Sequence, residues 1–356
     1  MALLYRAEAP ETARYHGCLG EPQSQKTRWV VLILVNLASL GCLIWALHDV
    51  SFSDLKFDLA TIDYWWVALA GATELSVYLT QAVRWRLVLR PVVPLGFRQA
   101  TRAIFVGLFA SEVLPFRGGE AVRCFLVTRW TKLPFSVSVA SVLIERVFDG
   151  MWLWLGLWLS LRYVELPKQL GYVNDGLGLS VLGGIVILGL ALFRPRPPRS
   201  ALRRPGWRHH LAVLMDDLAQ IGHSRYLYMA LFQSVPYLLL QTIPIWAAFQ
   251  AYGLDLGLGA AFALMLILRL ASIIPQAPAS LGLFQILTKE FLVRAYNVDP
   301  TDAASFSVIL WAVIKVTPLV AGFIALAITG AKIGELGKAA AAEGQPGGAI
   351  APLSSR

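Results

Sequence analysis

Three charged residues interrupt an apolar run where hydrocarbon would tolerate them least. Glu145, Arg146 and Asp149 fall inside residues 135–161, which are otherwise uncharged. On a helix, Glu145 and Asp149 are one turn apart and share a face, and Arg146 and Asp149 can also meet. A charge at bilayer depth costs about 2.5–3.5 kcal/mol on insertion scales, so such a cluster requires partners or a watery cavity. Arg117 and Arg123 are the candidate partners for the two acids; they lie just upstream, in a constellation with Glu112, Gly118, Gly119 and Glu120, where Pro115 and two glycines break the chain's helical path. The planar fork of Arg117 or Arg123 suits a phosphate, which it grips with two parallel hydrogen bonds. Gly118 and Gly119 let backbone N–H groups approach an anion closely. The chemistry expected here is recognition of a phosphate-bearing head. The competing structural readings are an internally compensated cluster and an interfacial loop whose arginines snorkel to the surface.

A second break occupies residues 274–282, with Pro275, Pro278, Ser280 and Gly282 followed by Gln285. Proline and glycine stop one helix and restart another, and the new N-terminus offers free N–H groups and a positive dipole end to an anion. A tight inter-helical loop is the plainer account. Glu74, Arg269, Lys289 and Lys315 stand singly within apolar runs. Each is a candidate relay or counter-ion, with helix-to-helix pairing as the bland alternative.

The elements that must position these groups follow from composition. The 356 residues are 57% hydrophobic and 15% charged, against about 45–50% and about 25% in soluble proteins. Apolar runs over residues 29–47, 64–83, 135–161, 176–193, 227–251, 260–274, 283–297 and 306–330 give roughly eight spans, with the 103–126 region as a re-entrant pair. The fold class expected is therefore all-α, a polytopic integral membrane protein with broken helices. Backbone that leaves the helix at membrane depth must be buried in protein or line a cavity, because lipid cannot satisfy it. Paired breaks of this kind point to a transport site.

Domain organisation is expected to be simple: a cytoplasmic segment 1–28, one transmembrane unit 29–330, and a disordered tail 331–356 rich in Ala, Gly, Pro and Ser. The first segment has acids and no apolar core, so it does not read as a cleavable leader. Arginine-rich stretches at 84–102 and 194–208 carry no acid and mark the inner side. Both termini are then cytoplasmic, and the location expected is a bacterial inner membrane. Pro236 and Pro244 should kink the span that holds them.

The net charge of +9 is carried by short loops, so topology and anionic lipid explain it better than nucleic acid, which is not an expected partner. Three cysteines without a CxxC spacing suggest neither a disulfide framework nor a zinc site. No GxSxG, HExxH or P-loop motif occurs. No cofactor and no metal are expected.

The run from Leu114 to Arg123 (LPFRGGEAVR) resembles the "LPgrlGE-x-x-R" element of the flippase-like family of the lysylphosphatidylglycerol synthase transmembrane region. Residues 141–149 (SVLIERVFD) resemble its "sv-x-x-ER-x-x-D" helix, and Trp85-Arg86 its early "WR" ending. Residues 275–282 stand where that family has "P-x-x-P-G-G-x-G", with Ala279-Ser280 here in place of the glycine pair. The resemblance covers about residues 29–330. It implies lipid translocation between leaflets, or handling of lipid-linked precursors and hopanoid-like lipids. The synthase domain that some relatives carry has no counterpart here, so lipid aminoacylation is not expected.

The leading expectation is thus a flippase-like transporter of an anionic or headgroup-modified lipid, more a transporter than an enzyme. Arg117 and Arg123 would grip phosphate, and Glu145, Arg146 and Asp149 would organise the cavity. Two alternatives stay open. One is an intramembrane enzyme acting on a lipid head or polyprenyl phosphate with Glu145 and Asp149 as acid–base or metal-binding carboxylates. The other is an accessory subunit that docks a lipid-modifying enzyme.

Overall fold

Side chains that could not face water decide the architecture. The computed structural model describes residues 61–113, 118–163, 169–193, 216–219, 221–222, 224–272 and 280–329. Every regular element among them is helical. In chain order these are α1 (Tyr64–Leu89), α2 (Phe97–Val113), α3 (Gly119–Thr131), α4 (Phe135–Tyr163), α5 (Gln169–Phe193), α6 (Arg225–Leu240) and α7 (Thr242–Tyr252). They continue with α8 (Leu258–Ala271), α9 (Leu283–Tyr296), α10 (Pro300–Trp311) and α11 (Thr317–Thr329), the last two joined by a π-helical turn at Ala312–Val316. The all-α expectation holds. The segment 1–28, the apolar run 29–47 and the tail 331–356 lie outside the described residues, as do Pro115, Arg117, Pro275 and Pro278.

Local chemistry sets the boundaries. The Asp63 carboxylate accepts from the Trp65 N–H at 2.9 Å and caps α1; Asp299 does the same for Thr301 at 2.8 Å, with Pro300 opening α10. Gly253 ends α7 at φ 77°, in the left-handed region that glycine enters without a Cβ penalty. Between Pro236 and Pro244 the expected kink becomes an interruption at Gln241, which separates α6 from α7.

Among the described residues, two helices are long and apolar enough to cross a bilayer by length and composition, Gly171–Leu190 and the joined Pro300–Thr329. The longer α1 and α4 carry the polar groups of the candidate site, and α2, α3 and α6 to α9 run 11 to 17 residues. Apolar side chains point outward from α5 (Leu179, Leu182, Ile187, Leu190) and from α11 (Phe323, Ile328). This is surface that acyl chains, rather than water, would cover.

Among the described residues, two apolar centres are large. One gathers Trp85, Val88, Ile104, Val122, Leu126 and Ile144 from α1 to α4. The other gathers Ile245, Phe249, Leu264, Phe291, Phe306 and Leu310 from α7 to α10. The α2–α3 pair folds back as a hairpin whose backbones nearly touch: a Cβ on Gly107 would meet the Gly119 carbonyl oxygen at 2.8 Å. Residues 216–219 form helix, and Asp217 within it is buried. The buried Leu218 and Ile221 belong to the first centre and draw that segment inward.

Candidate functional site

At the junction of α1, α3, α4 and α6, charge replaces hydrocarbon. Its organiser is Arg84, which is fully buried and donates Nε–H to Glu145 Oε1 at 3.1 Å. Its Nη1 donates to Asp149 Oδ1 at 2.5 Å and its Nη2 to Asp149 Oδ2 at 3.3 Å. Nη1 also reaches the Ser234 hydroxyl at 3.3 Å, and the guanidinium lies 4.4 Å from the centre of the Tyr237 ring. Glu145, also fully buried, takes Arg123 Nη2 on its other oxygen at 2.8 Å. Arg146 pairs with Glu120 and stands 3.7 Å from Asp149. Glu120, Glu145 and Asp149 are thus matched against Arg146, Arg123 and Arg84. Such a lattice survives burial because each desolvated charge meets its opposite with good geometry.

The positions follow from helix periodicity. Glu145 and Asp149 share one face of α4, the face expected from their spacing. Arg123 sits one turn into α3, where the tight α2–α3 crossing presses it against α1. Its guanidinium lies 4.8 Å from the Trp85 ring centre, and Trp85 Nε1 donates to the Ser141 hydroxyl at 2.9 Å. Trp85 is itself fully buried. Replacing it with phenylalanine should cost about 1–3 kcal/mol, through the lost bond to the Ser141 hydroxyl, which keeps only its own bond to the Ser138 carbonyl, and the weaker stacking surface. Thermal unfolding of the purified protein checks this, with W65F, at an exposed residue, as the unaffected reference.

Of the residues singled out in the sequence, Glu120, Arg123, Glu145, Arg146 and Asp149 come together in this lattice, with Gly118 and Gly119 at the start of the helix that delivers Arg123. Ser280 and Gly282 open α9, which packs on α8 and α10 and contributes nothing to these ion pairs. The Gly282 N–H donates to Gln285 Oε1 at 2.8 Å, so this N–H at the restarted helix already has an acceptor. Sequence reasoning missed Arg84. It reads as the first arginine of a basic loop, but α1 continues to Leu89 and carries Arg84 inside. The signal was its spacing: Gln81, Arg84, Trp85 and Val88 form one helical stripe, all buried.

The single ionisables find separate partners. Lys315, in the π-helical turn, donates to Glu112 at 3.1 Å. Glu74 is buried and hydrogen-bonds Tyr78. Arg269 on α8 donates Nε–H to Gln241 Oε1 at 2.5 Å and Nη2–H to the Tyr237 hydroxyl at 2.8 Å.

Beside the lattice is a cavity of about 120 Å³. Arg146, Asp149, Ser234, Tyr237, Arg269 and Ser272 supply its polar wall, and Trp152, Leu153, Leu177 and Leu238 its apolar one. Among the described residues no group of three or more His, Cys, Asp and Glu side chains is placed to hold a metal ion. The arrangement can receive a polar, charged head beside an apolar wall.

Comparison with known proteins agrees with this picture of polar groups enclosed by lipid-facing helices. Residues 29–322 match the family model described as the lysylphosphatidylglycerol synthase TM region. The glycosyltransferase AglD of Haloferax volcanii is 25% identical over 309 residues, 72% of this chain but 47% of its own length. The chain thus spans about half of that relative. A UPF0104 membrane protein of Methanocaldococcus jannaschii is 21% identical over 74% of this chain and 84% of its own length. A UPF0104 membrane protein of Methanothermobacter thermautotrophicus is 21% identical over 80% and 90% respectively. With the match running from before α1 into α11, the chain belongs to the membrane family of the lysylphosphatidylglycerol synthase transmembrane region.

Proposed function

We propose that this protein moves an anionic or headgroup-modified lipid, or a lipid-linked precursor, between leaflets of a bacterial inner membrane. About eight spans would enclose the path, with both termini cytoplasmic. The observation that carries the reading is the buried Arg84–Glu145–Asp149 lattice set against the amphipathic cavity, inside a bundle whose outer face is apolar. Charge is retained at such depth for a function more often than for stability. The head would enter the cavity while its tails stay in lipid. Arg123 supports this: its Nε–H has no acceptor among the described residues, so it keeps a donor for phosphate beyond its bond to Glu145. Arg117 and the 275–282 segment complete the proposed path.

In vesicles reconstituted with the purified chain, a fluorescent anionic phospholipid should become accessible to an outside quencher faster than in protein-free vesicles. The R117Q/R123Q variant should lose that transfer while still inserting. Wild-type rates in the double variant would remove the assignment.

A second reading has one observation of its own, the similarity to a protein named as a glycosyltransferase. On it, this chain serves lipid or polyprenyl-phosphate chemistry as an intramembrane enzyme or accessory subunit. Chemical change in a polyprenyl phosphate on incubation with the purified protein, followed by mass spectrometry, would select this reading over transport.

A further inference from the structure

We infer that Arg269, together with the Tyr237 hydroxyl, is the attachment point for a phosphate group in the cavity, and that the phosphate belongs to a phospholipid head. This rests on the lipid-handling reading above and names the site and ligand chemistry within it.

Around the cavity, Glu120, Glu145 and Asp149 are each engaged by Arg146, Arg84 or Arg123. Arg269 is a further cation, and the groups it touches among the described residues, Gln241 and Tyr237, are uncharged. Glu74, also buried, hydrogen-bonds Tyr78, and both Glu74 and Asp149 lie within electrostatic reach of Arg269. The groups that aim this part-buried guanidinium by hydrogen bonds are nevertheless neutral, so its donors are not taken up by a carboxylate.

Its geometry is fixed from three sides. Gln241 stands at the interruption between α6 and α7, and its amide nitrogen donates to the Tyr237 carbonyl at 2.9 Å, which locks the oxygen toward Arg269. The Tyr237 ring lies between two guanidiniums, 4.4 Å from Arg84 and 5.5 Å from Arg269. Its hydroxyl oxygen accepts from Arg269, so its own O–H remains to donate. The Ser234 hydroxyl already donates to the Ala230 carbonyl at 2.9 Å. Among the described residues that line the cavity, the rest of the Arg269 fork and the Tyr237 O–H remain as donors, beside Arg146, whose fork is partly taken by Glu120 and Asp149. A tetrahedral oxyanion is the ligand that takes a fork and a hydroxyl together. The apolar wall of Trp152, Leu153 and Leu177 suits the glycerol backbone that follows a lipid phosphate.

Isothermal titration of the purified full chain in neutral detergent tests this, with three probes: dihexanoyl-phosphatidylglycerol, dihexanoylglycerol without phosphate, and inorganic phosphate. The phospholipid should bind the wild type, and R269Q should weaken it at least tenfold. R269K should lie between the two, and Y237F should lose about threefold. R294Q, at an exposed residue paired with Glu290, should bind as the wild type does. Dihexanoylglycerol should show no dependence on Arg269. If inorganic phosphate binds as tightly as the phospholipid through Arg269, the lipid source is overturned and the phosphate site stands. If folded R269Q, R269K and Y237F all bind the phospholipid like wild type, the site is overturned. Arg269-dependent binding without transfer in vesicles would leave the site standing and overturn translocation; transfer with Arg269-independent binding would do the reverse.

Discussion

Replacing Arg84 with methionine should destabilise this protein more than any other single loss of charge. The substitution keeps most of the side-chain volume and removes the group that holds Glu145, Asp149 and Ser234. Glu145 would keep Arg123, and Asp149 would keep only the longer contact to Arg146. Breaking a buried pair from one side costs about 3–5 kcal/mol, because the remaining charge stays desolvated. The unfolding midpoint in detergent should fall on the order of 10 °C. Lysine should restore little, since a point charge cannot serve two carboxylates along different directions as the fork does. The decisive comparison is R84M/D149L. That double variant removes one cation and one anion, and leaves Arg123–Glu145 and Arg146–Glu120 matched. It should recover most of the lost stability, as buried pairs replaced on both sides often do. An R84M protein that melts within a degree or two of wild type would show that the lattice carries no structural weight.

The second large effect is expected at Gly119. A Cβ there would overlap the Gly107 carbonyl oxygen and the Ser111 hydroxyl, which belong to the facing helix of the hairpin. Alanine gains about 1 kcal/mol of helix propensity over glycine. The overlap falls partly on backbone, which cannot rotate away, and overpacking costs about 1–3 kcal/mol or more. The clash should win, and G119A should spread α2 from α3 and shift Arg123 off Glu145. Both thermal stability and lipid transfer should drop. G183A on α5 provides the contrast, because a Cβ there meets nothing within 4 Å. It should be neutral or slightly stabilising. Equal behaviour of G119A and G183A would mean that the close α2–α3 approach does not exist in the membrane.

The helical character and the paired carboxylates on one face of α4 were legible from spacing. Glu145 and Asp149 had to be neighbours because the helical repeat puts them so, and they had to be paired because hydrocarbon penalises lone charge. Arg84 was not legible. A basic residue at the end of an apolar run reads as a membrane boundary, and no local rule says that the helix continues for another turn and a half. Arg269 was legible as a candidate counter-ion, but its partners were not, since Gln241 and Tyr237 stand 28 and 32 positions away.

Sequence alone therefore determined the class of environment: apolar helices, charges that cannot stand alone, and backbone interruptions that need shelter. These follow from composition and from the 3.6-residue repeat, both local properties. Tertiary structure decided which charge meets which. Arg84 and Glu145 are 61 positions apart, and Arg84 and Ser234 are 150 apart. Pairing over such separations is set by how helices cross and how closely Gly107 and Gly119 let them approach, which no single stretch of chain encodes.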